Sequence, residues 1–521
     1  MAILGFQLIS TIIGASILSK IITKSTFTIN ILCKSLSRFL APNDEIILYN
    51  AGLSKVKNKS KKVKTDSEEF FFPRETDITL RRVKFTEYDV APFPLFSELH
   101  WLCNFTLCVL LVYTSNEIYN YHFPNQPATV DKKTSSLFLD LVNSSNIKIN
   151  LSLLWWSILI FYATMTLKRI LGIFFKKTKT TPDNKMTPEL LLILGASFMF
   201  FVLSFFFLTF DNTFLDFKLT QLHALRDNQT IDEQIFTREK SQTFLSLIAG
   251  TISGLFLFPA MRYGRMFLDS VKNTNNVFVK FVVGLNFIMP FLVILLWFIP
   301  FTHFFLPMTL SSTAALISST SLFPLNKPIM TLIEWTSLEN LPSFRLFFAA
   351  LAILLRLCLF KVNMQSYLTI PKNTADKMRR EPGKISNVEF RKNIDNFFCC
   401  FNLIAAQYIA PIVFTLGFIV LHKNCSGLSW LPWLKGDRSL IQDHPTPGVS
   451  DWTKTLSILN ESDSYYESMV RTKEIFHALL ESMKGHGYIL SDCYFGFTLW
   501  WSMLSWFCIS IVGVFYYKYA D

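Results

Sequence analysis

Nine stretches of this chain are apolar over roughly the 20 residues that a helix needs to cross a hydrocarbon core about 30 Å thick. They are Ala2 to Ile22, Ser97 to Tyr119, Ile149 to Leu167, Pro188 to Phe210, Thr243 to Met261, Phe281 to Phe301, Phe344 to Phe360, Phe397 to Leu421 and Tyr494 to Tyr517. A soluble core of comparable size would interleave its apolar residues with charge. Here the charged residues, 17% of the chain, collect between the blocks instead, well under the usual quarter for soluble domains. The expected fold is therefore all-α, a polytopic helical membrane protein with about nine spans and interfacial amphipathic helices. It divides into a first span (1–22), a basic cytoplasmic loop (23–94), a membrane domain with seven spans (95–421), an extracellular or lumenal loop (422–493) and a last span with a short tail (494–521).

The formal net charge of +12 would suggest nucleic acid in a soluble chain. In a membrane protein it has a simpler reading: Lys and Arg gather in cytoplasmic loops facing an anionic leaflet. The expected surroundings are a lipid bilayer and other membrane proteins, with no nucleic acid. Between the first two spans lie 13 Lys or Arg, including the run from Lys55 to Lys64. The third-to-fourth connection holds six, the fifth-to-sixth four and the seventh-to-eighth eight, whereas the alternate short loops hold three, four (against six acids) and one. The last loop has seven but is long, and long loops weigh little. The bias puts the N-terminus outside and the C-terminus in the cytoplasm, in a plasma or secretory-pathway membrane. Sequons at Asn143, Asn150, Asn228, Asn424 and Asn460 fall in or beside loops assigned outside, and Asn143, Asn228 and Asn460 are the expected glycosylation sites. Asn58 lies in the basic loop and is expected to be unmodified. With no basic residue before Lys20, the first block is expected to be a retained span rather than a cleaved signal peptide.

Outside the spans, Phe27 to Leu40 has the mixed character of an interfacial helix. The stretch from there to Pro94 is polar and charged, with partial disorder expected. Phe304 to Leu325 suits a re-entrant or surface segment, and Tyr466 to Met483 an amphipathic helix. Most of the nine cysteines fall in or near spans as small apolar side chains. Cys425 and Cys493, at the outer ends of consecutive spans, are a candidate disulfide. Cys399 and Cys400 suit either palmitoylation or, by default, the core.

The candidate site lies within the bilayer. Asn286 stands four residues before Pro290 in the sixth span, and Gln407 four before Pro411 in the eighth. Proline cannot bond the carbonyl four residues back, so each span offers a kink, a freed carbonyl and a side-chain amide. Such broken helices line polar cavities in transporters, although amides also bind neighbouring helices. Arg356 interrupts the seventh span. An intramembrane charge is a functional candidate, with Glu98 as a carboxylate partner, although snorkelling towards Lys361 is the simpler reading. Glu117 is expected to be solvated. Gly250 and Gly254 form a GxxxG pattern for close helix packing, and Arg265 and Asp269 an i,i+4 pair. No HExxH, GxSxG, Walker loop, GxGxxG or CxxC pair occurs, so no catalysis, cofactor or metal is expected.

The segments GFQLISTIIGASILSKII from Gly5, FLFPAMRYGRMFLDSV from Phe256, LNFIMPFLVILLWFIPFT from Leu285, LRLCLFKVNMQSYL from Leu355, DKMRREPGKISNVEFRKN from Asp376, AAQYIAPIVF ending at Phe414 and WWSMLSWFCISIVGVFYYKY from Trp500 resemble the transmembrane protein 161 family. The resemblance runs in order over nearly the whole chain and takes in both amide–proline pairs, Arg356, Glu98 and Glu117. It departs in the loops after Tyr121 and His422, at Asn104 where an acid is usual, and at Cys399 and Cys400 where aromatics are usual. It implies a polytopic membrane protein without known catalysis, associated with calcium and potassium currents, membrane excitability, cardiac rhythm and cellular stress tolerance. A non-enzymatic regulator of ion handling is the expected function. An ion channel or small-molecule transporter using the kinked spans, and a lipid-handling protein, are the alternatives.

Overall fold

In the computed structural model, which describes residues 14, 16–21, 33–52, 69–122, 151–178, 188–210, 214–217, 238–302, 341–426, 428, 430 and 486–520, the apolar blocks are helices. Those long enough to matter for the membrane are α2 (Phe96–His122), α3 (Leu151–Thr178), α4 (Pro188–Thr209), α5 (Arg238–Asn273), α6 (Val277–Leu295), α7 (Leu341–Cys358), α10 (Phe401–Cys425) and α11 (His486–Ala520). Among the described residues, eight spans are long and apolar enough to cross a bilayer, the eighth block's span beginning in α9 (Asn387–Cys399) and running through α10. The first block falls outside the described residues apart from 14 and 16–21, which are helical. The expected re-entrant segment and the amphipathic helix of the last loop also lie outside them.

Three helices make the centre. α5 packs along α4 and α11, and α10 along α3 and α11. The span through α9 and α10 has 83% of its most apolar window buried and α4 only 17%, so α10 is the hub and α4 faces lipid with Leu191, Phe198 and Phe206 exposed. In hydrocarbon, helices gain nothing from hiding apolar surface and associate through close packing. Small residues supply it. A Cβ on Gly264 would lie 2.6 Å from the Ser510 carbonyl oxygen, and one on Gly513 2.8 Å from that of Met261, so α5 and α11 touch backbone to backbone. The GxxxG pair does the same against α4: a Cβ on Gly250 would meet the Ser197 carbonyl at 2.8 Å and one on Gly254 its hydroxyl. Trp501 closes the seam, its indole N–H shared between the Ala249 carbonyl and the Ser253 hydroxyl, each at 3.0 Å.

The basic loop departs furthest from the sequence reading. Its described residues, 33–52 and 69–94, are folded, and 53–68, where the run from Lys55 to Lys64 falls, lie outside the described residues. The second half of the expected interfacial helix is a strand, β1 (Ser37–Leu40), paired antiparallel with β3 (Arg81–Lys84). β2 (Phe71–Pro73) pairs antiparallel with β4 (Lys384–Ser386), which comes from the seventh-to-eighth connection. The cause is a second small core. Ile47 of α1 (Asp44–Asn50), Phe72, Ile78, Ala375, Ile385, Phe390 and Ile394 bury one another, with α8 (Phe360–Met378) and α9 supplying the last part. Charges that looked solvated in sequence are paired around it: Arg379 with Asp77 and Arg391 with Asp44, both at 2.8 Å, and Arg74 with Glu381. Two basic loops separated by six spans thus form one cap, and must lie on the same side of the membrane.

Gln365 of α8 clamps β1 to the cap. Its Oε1 accepts from the Ser37 amide (3.0 Å) and its Nε2 donates to the Ser37 carbonyl (3.1 Å). Gln365→Leu strands two partly buried backbone groups, at about 1–3 kcal/mol. Amide exchange at residues 37–40 is expected to speed up roughly 10- to 100-fold while the spans stay protected. Unchanged exchange there would show that the clamp does not hold the strand.

Candidate functional site

In α7 the buried positions Arg345, Ala349, Ala352 and Arg356 recur three or four residues apart, one helical stripe facing the bundle. Arg356 continues that stripe, so it points inward and is 3% exposed. The snorkelling expected from its nearness to Lys361 does not occur. Its guanidinium lies over Trp506 of α11 at 4.4 Å and over Tyr263 of α5 at 4.9 Å. Stacking of a desolvated cation on aromatic faces is worth about 2 kcal/mol or more. Glu98 is not its counter-ion: α2 packs on α3, and Glu98 pairs there with Arg169. Among the described residues no carboxylate forms an ion pair with Arg356, and its Nε has no hydrogen-bond partner.

The two amide–proline pairs have different fates. Both helices run on through their prolines, Pro290 in α6 and Pro411 in α10, and both prolines are buried. Asn286 donates through Nδ2 to the Tyr263 hydroxyl at 2.9 Å, and its Oδ1 has no partner among the described residues. Gln407 is 1% exposed and neither of its amide atoms has a partner among the described residues. Asn286 and Arg356 therefore meet at Tyr263, whose ring lies 6.2 Å from that of Tyr408, the residue next to Gln407. A third intrahelical proline, Pro259 of α5, went unremarked in the sequence because no amide precedes it by four residues.

From this centre a buried hydrogen-bonded chain runs to the cap. Tyr408 donates to the Arg356 carbonyl at 2.7 Å, and Asn363 of α8 donates to the Tyr408 hydroxyl at 3.0 Å. Ser270 of α5 then donates to the Asn363 Oδ1 and contacts the Ser366 hydroxyl, each at 3.0 Å. One turn on, Tyr367 donates to the Phe397 carbonyl at 2.7 Å, and burial pushes its phenol well above the ordinary range. Tyr263, Tyr408, Asn363, Ser270 and Trp506 were not singled out in the sequence. Each is unremarkable locally and gains meaning from partners on other helices. Chemically, the arrangement fixes a permanent positive charge, which arginine cannot lose, between the aromatic faces of Tyr263 and Trp506.

The far end of the bundle carries its own polar pairs. Arg345, missed in the sequence, forms an ion pair with Asp216 at 3.0 Å, donates to the Leu296 carbonyl at 2.8 Å and stacks over Trp297. Glu117 is paired with Lys423 rather than solvated. Cys425 and Cys493, the candidate disulfide pair, are both buried, and the Cys493 thiol donates to the Phe217 carbonyl at 3.0 Å. Asn143, Asn228 and Asn460 lie outside the described residues.

The family model described as predicted transmembrane protein 161AB matches residues 2–521 of the chain. No solved structure matches it.

Proposed function

The chain belongs to the transmembrane protein 161A/B family, and from that premise we propose that it is a non-enzymatic regulator of ion handling, acting on calcium and potassium currents through other membrane proteins. Membrane excitability, cardiac rhythm and cellular stress tolerance are the processes it would serve. The cap is the cytoplasmic face in this reading, in agreement with the loop charges, with Asn143, Asn228 and Asn460 glycosylated on the other side.

The observation that carries the proposal is the buried chain from Arg356 through Tyr408 and Asn363 to Ser270. It ties the backbone of α7, at the residue that carries a charge at membrane depth, to α8 of the folded cap, a route by which a change felt by either would reach the other. A pore would be expected to hold such a charge against water, whereas here aromatic faces cover it.

Arg356→Met separates function from folding. Buried ion pairs replaced by apolar side chains of similar volume are often neutral or stabilising, and Arg356 has no paired carboxylate among the described residues that Met would strand. The expected outcome is an unfolding midpoint in detergent equal to or above the wild type, with modulation of calcium and potassium currents lost in patch-clamp recordings. A fall of about 3 kcal/mol would make Arg356 a structural element. Gln407, buried with no partner for either amide atom among the described residues, favours the second reading, a channel or transporter. Ion flux from purified protein alone in liposomes, abolished by Gln407→Leu and Asn286→Leu without loss of folding, would put that reading first.

A further inference from the structure

Cysteine is among the residue types most often found buried, yet Cys399 and Cys400 are exposed. The core placement that their apolar neighbourhood favours does not hold. Cys399 ends α9, and Cys400 caps both α9 and α10. The 25 residues of α10 rise about 37 Å, more than the roughly 30 Å of hydrocarbon. The pair therefore stands at the cap end of a span, where hydrocarbon gives way to headgroups.

The residues on either side are pinned to the cap. Phe398 stacks edge-on against Phe85 (5.4 Å) and Phe93 (5.2 Å), under the Arg38 guanidinium (4.4 Å). Asn402 donates to the Val90 carbonyl at 3.1 Å. The corner is held from within while two adjacent thiols face out at membrane level. On the cap side being cytoplasmic, a disulfide between them is disfavoured by the reducing compartment, and acyl-coenzyme A is at hand.

We propose that Cys399 and Cys400 are sites of S-acylation by long-chain fatty acyl groups, donated by acyl-coenzyme A with a membrane acyltransferase as catalyst. Each cysteine, as its thiolate, attacks the acyl carbonyl. The bond from that carbonyl to the coenzyme A sulfur breaks, coenzyme A leaves as a thiolate and takes up the proton the cysteine released, and a new thioester remains. No oxidant or reductant is involved. One chain gives only marginal attachment and two make it stable, so the adjacent pair would pin the corner between cap and span to the leaflet.

The inference rests on the orientation under Proposed function, and the test separates the two. Full-length protein from cells is thiol-blocked, treated with hydroxylamine and labelled with a polyethylene-glycol maleimide. Wild type is expected to run two mass steps above the C399S/C400S variant, and each single serine variant one step above it. Identical ladders for wild type and the double variant overturn the acylation. A tag after Asp521 reads orientation independently, because α11 ends on the cap side, where Tyr517 meets Arg265. Tag exposure on intact cells overturns the orientation, and with identical ladders the acylation as well. A tag reached only after permeabilisation, with identical ladders, overturns acylation alone.

Discussion

Gly264→Leu is expected to leave little folded protein in detergent extracts. The added Cβ alone would sit 2.6 Å from the Ser510 carbonyl oxygen and 2.9 Å from the Val514 amide nitrogen. These are backbone atoms of a helix buried over much of its length, with Gly513 pressed reciprocally on Met261, so no side chain can swing aside. Overpacking a core usually costs 1–3 kcal/mol, and a clash with backbone on both sides belongs at or above about 3 kcal/mol. That is roughly a hundredfold in the ratio of folded to unfolded protein, a large share of an ordinary stability of about 5–15 kcal/mol. Gly195→Ala in α4 is the matched control, because nothing lies within 4 Å of its Cβ position. It is expected to be stabilising by up to about 1 kcal/mol through helix propensity. Size-exclusion profiles and thermal midpoints of the two variants check this, and a monodisperse Gly264→Leu protein would sink it.

Asp216→Ala should destabilise by about 2–3 kcal/mol, and Asp216→Ala with Arg345→Met should recover most of the loss. Arg345 is 5% exposed and cannot shed its charge. Among the described residues, removing its carboxylate leaves that charge with the Leu296 carbonyl and the Trp297 face. Breaking a buried pair typically costs 3–5 kcal/mol, and replacing both members with apolar groups is often neutral. The Asp216 carboxylate is about one-third exposed, which places the loss at or below the low end of that range. A double variant as unstable as the single one would mean that Asp216 matters for something other than Arg345.

How much of this was legible in the sequence depended on how local the cause was. The spans were, since an apolar run declares itself within 20 residues. The Gly250/Gly254 contact was, because both glycines fall on one face of one helix. The Gly264–Gly513 contact was not: each glycine stands apart from any pattern, and their meeting is a property of two helices crossing. Arg356 was legible as a position but not as an environment. Its proximity to Lys361 suggested the interface, whereas the stripe through Arg345, Ala349 and Ala352 turns it inward. The cap strands were invisible because three or four residues in a charged loop carry no alternation long enough to read, and their partners are supplied from elsewhere in the chain.

That last feature has a consequence for how the protein is made. Phe71 to Pro73 wait for Ser386 to Lys384, and at about 5–20 residues per second the intervening chain takes on the order of 15–60 s to synthesise. Throughout that time Ile47, Phe72 and Ile78 have no Phe390 or Ile394 to cover them. A nascent chain halted before Lys384 therefore leaves the first half of the cap uncovered. The cap is in effect a late checkpoint, closing only on chains that have threaded seven spans in the right order, and truncated products should be the ones that chaperones and the degradation machinery retain.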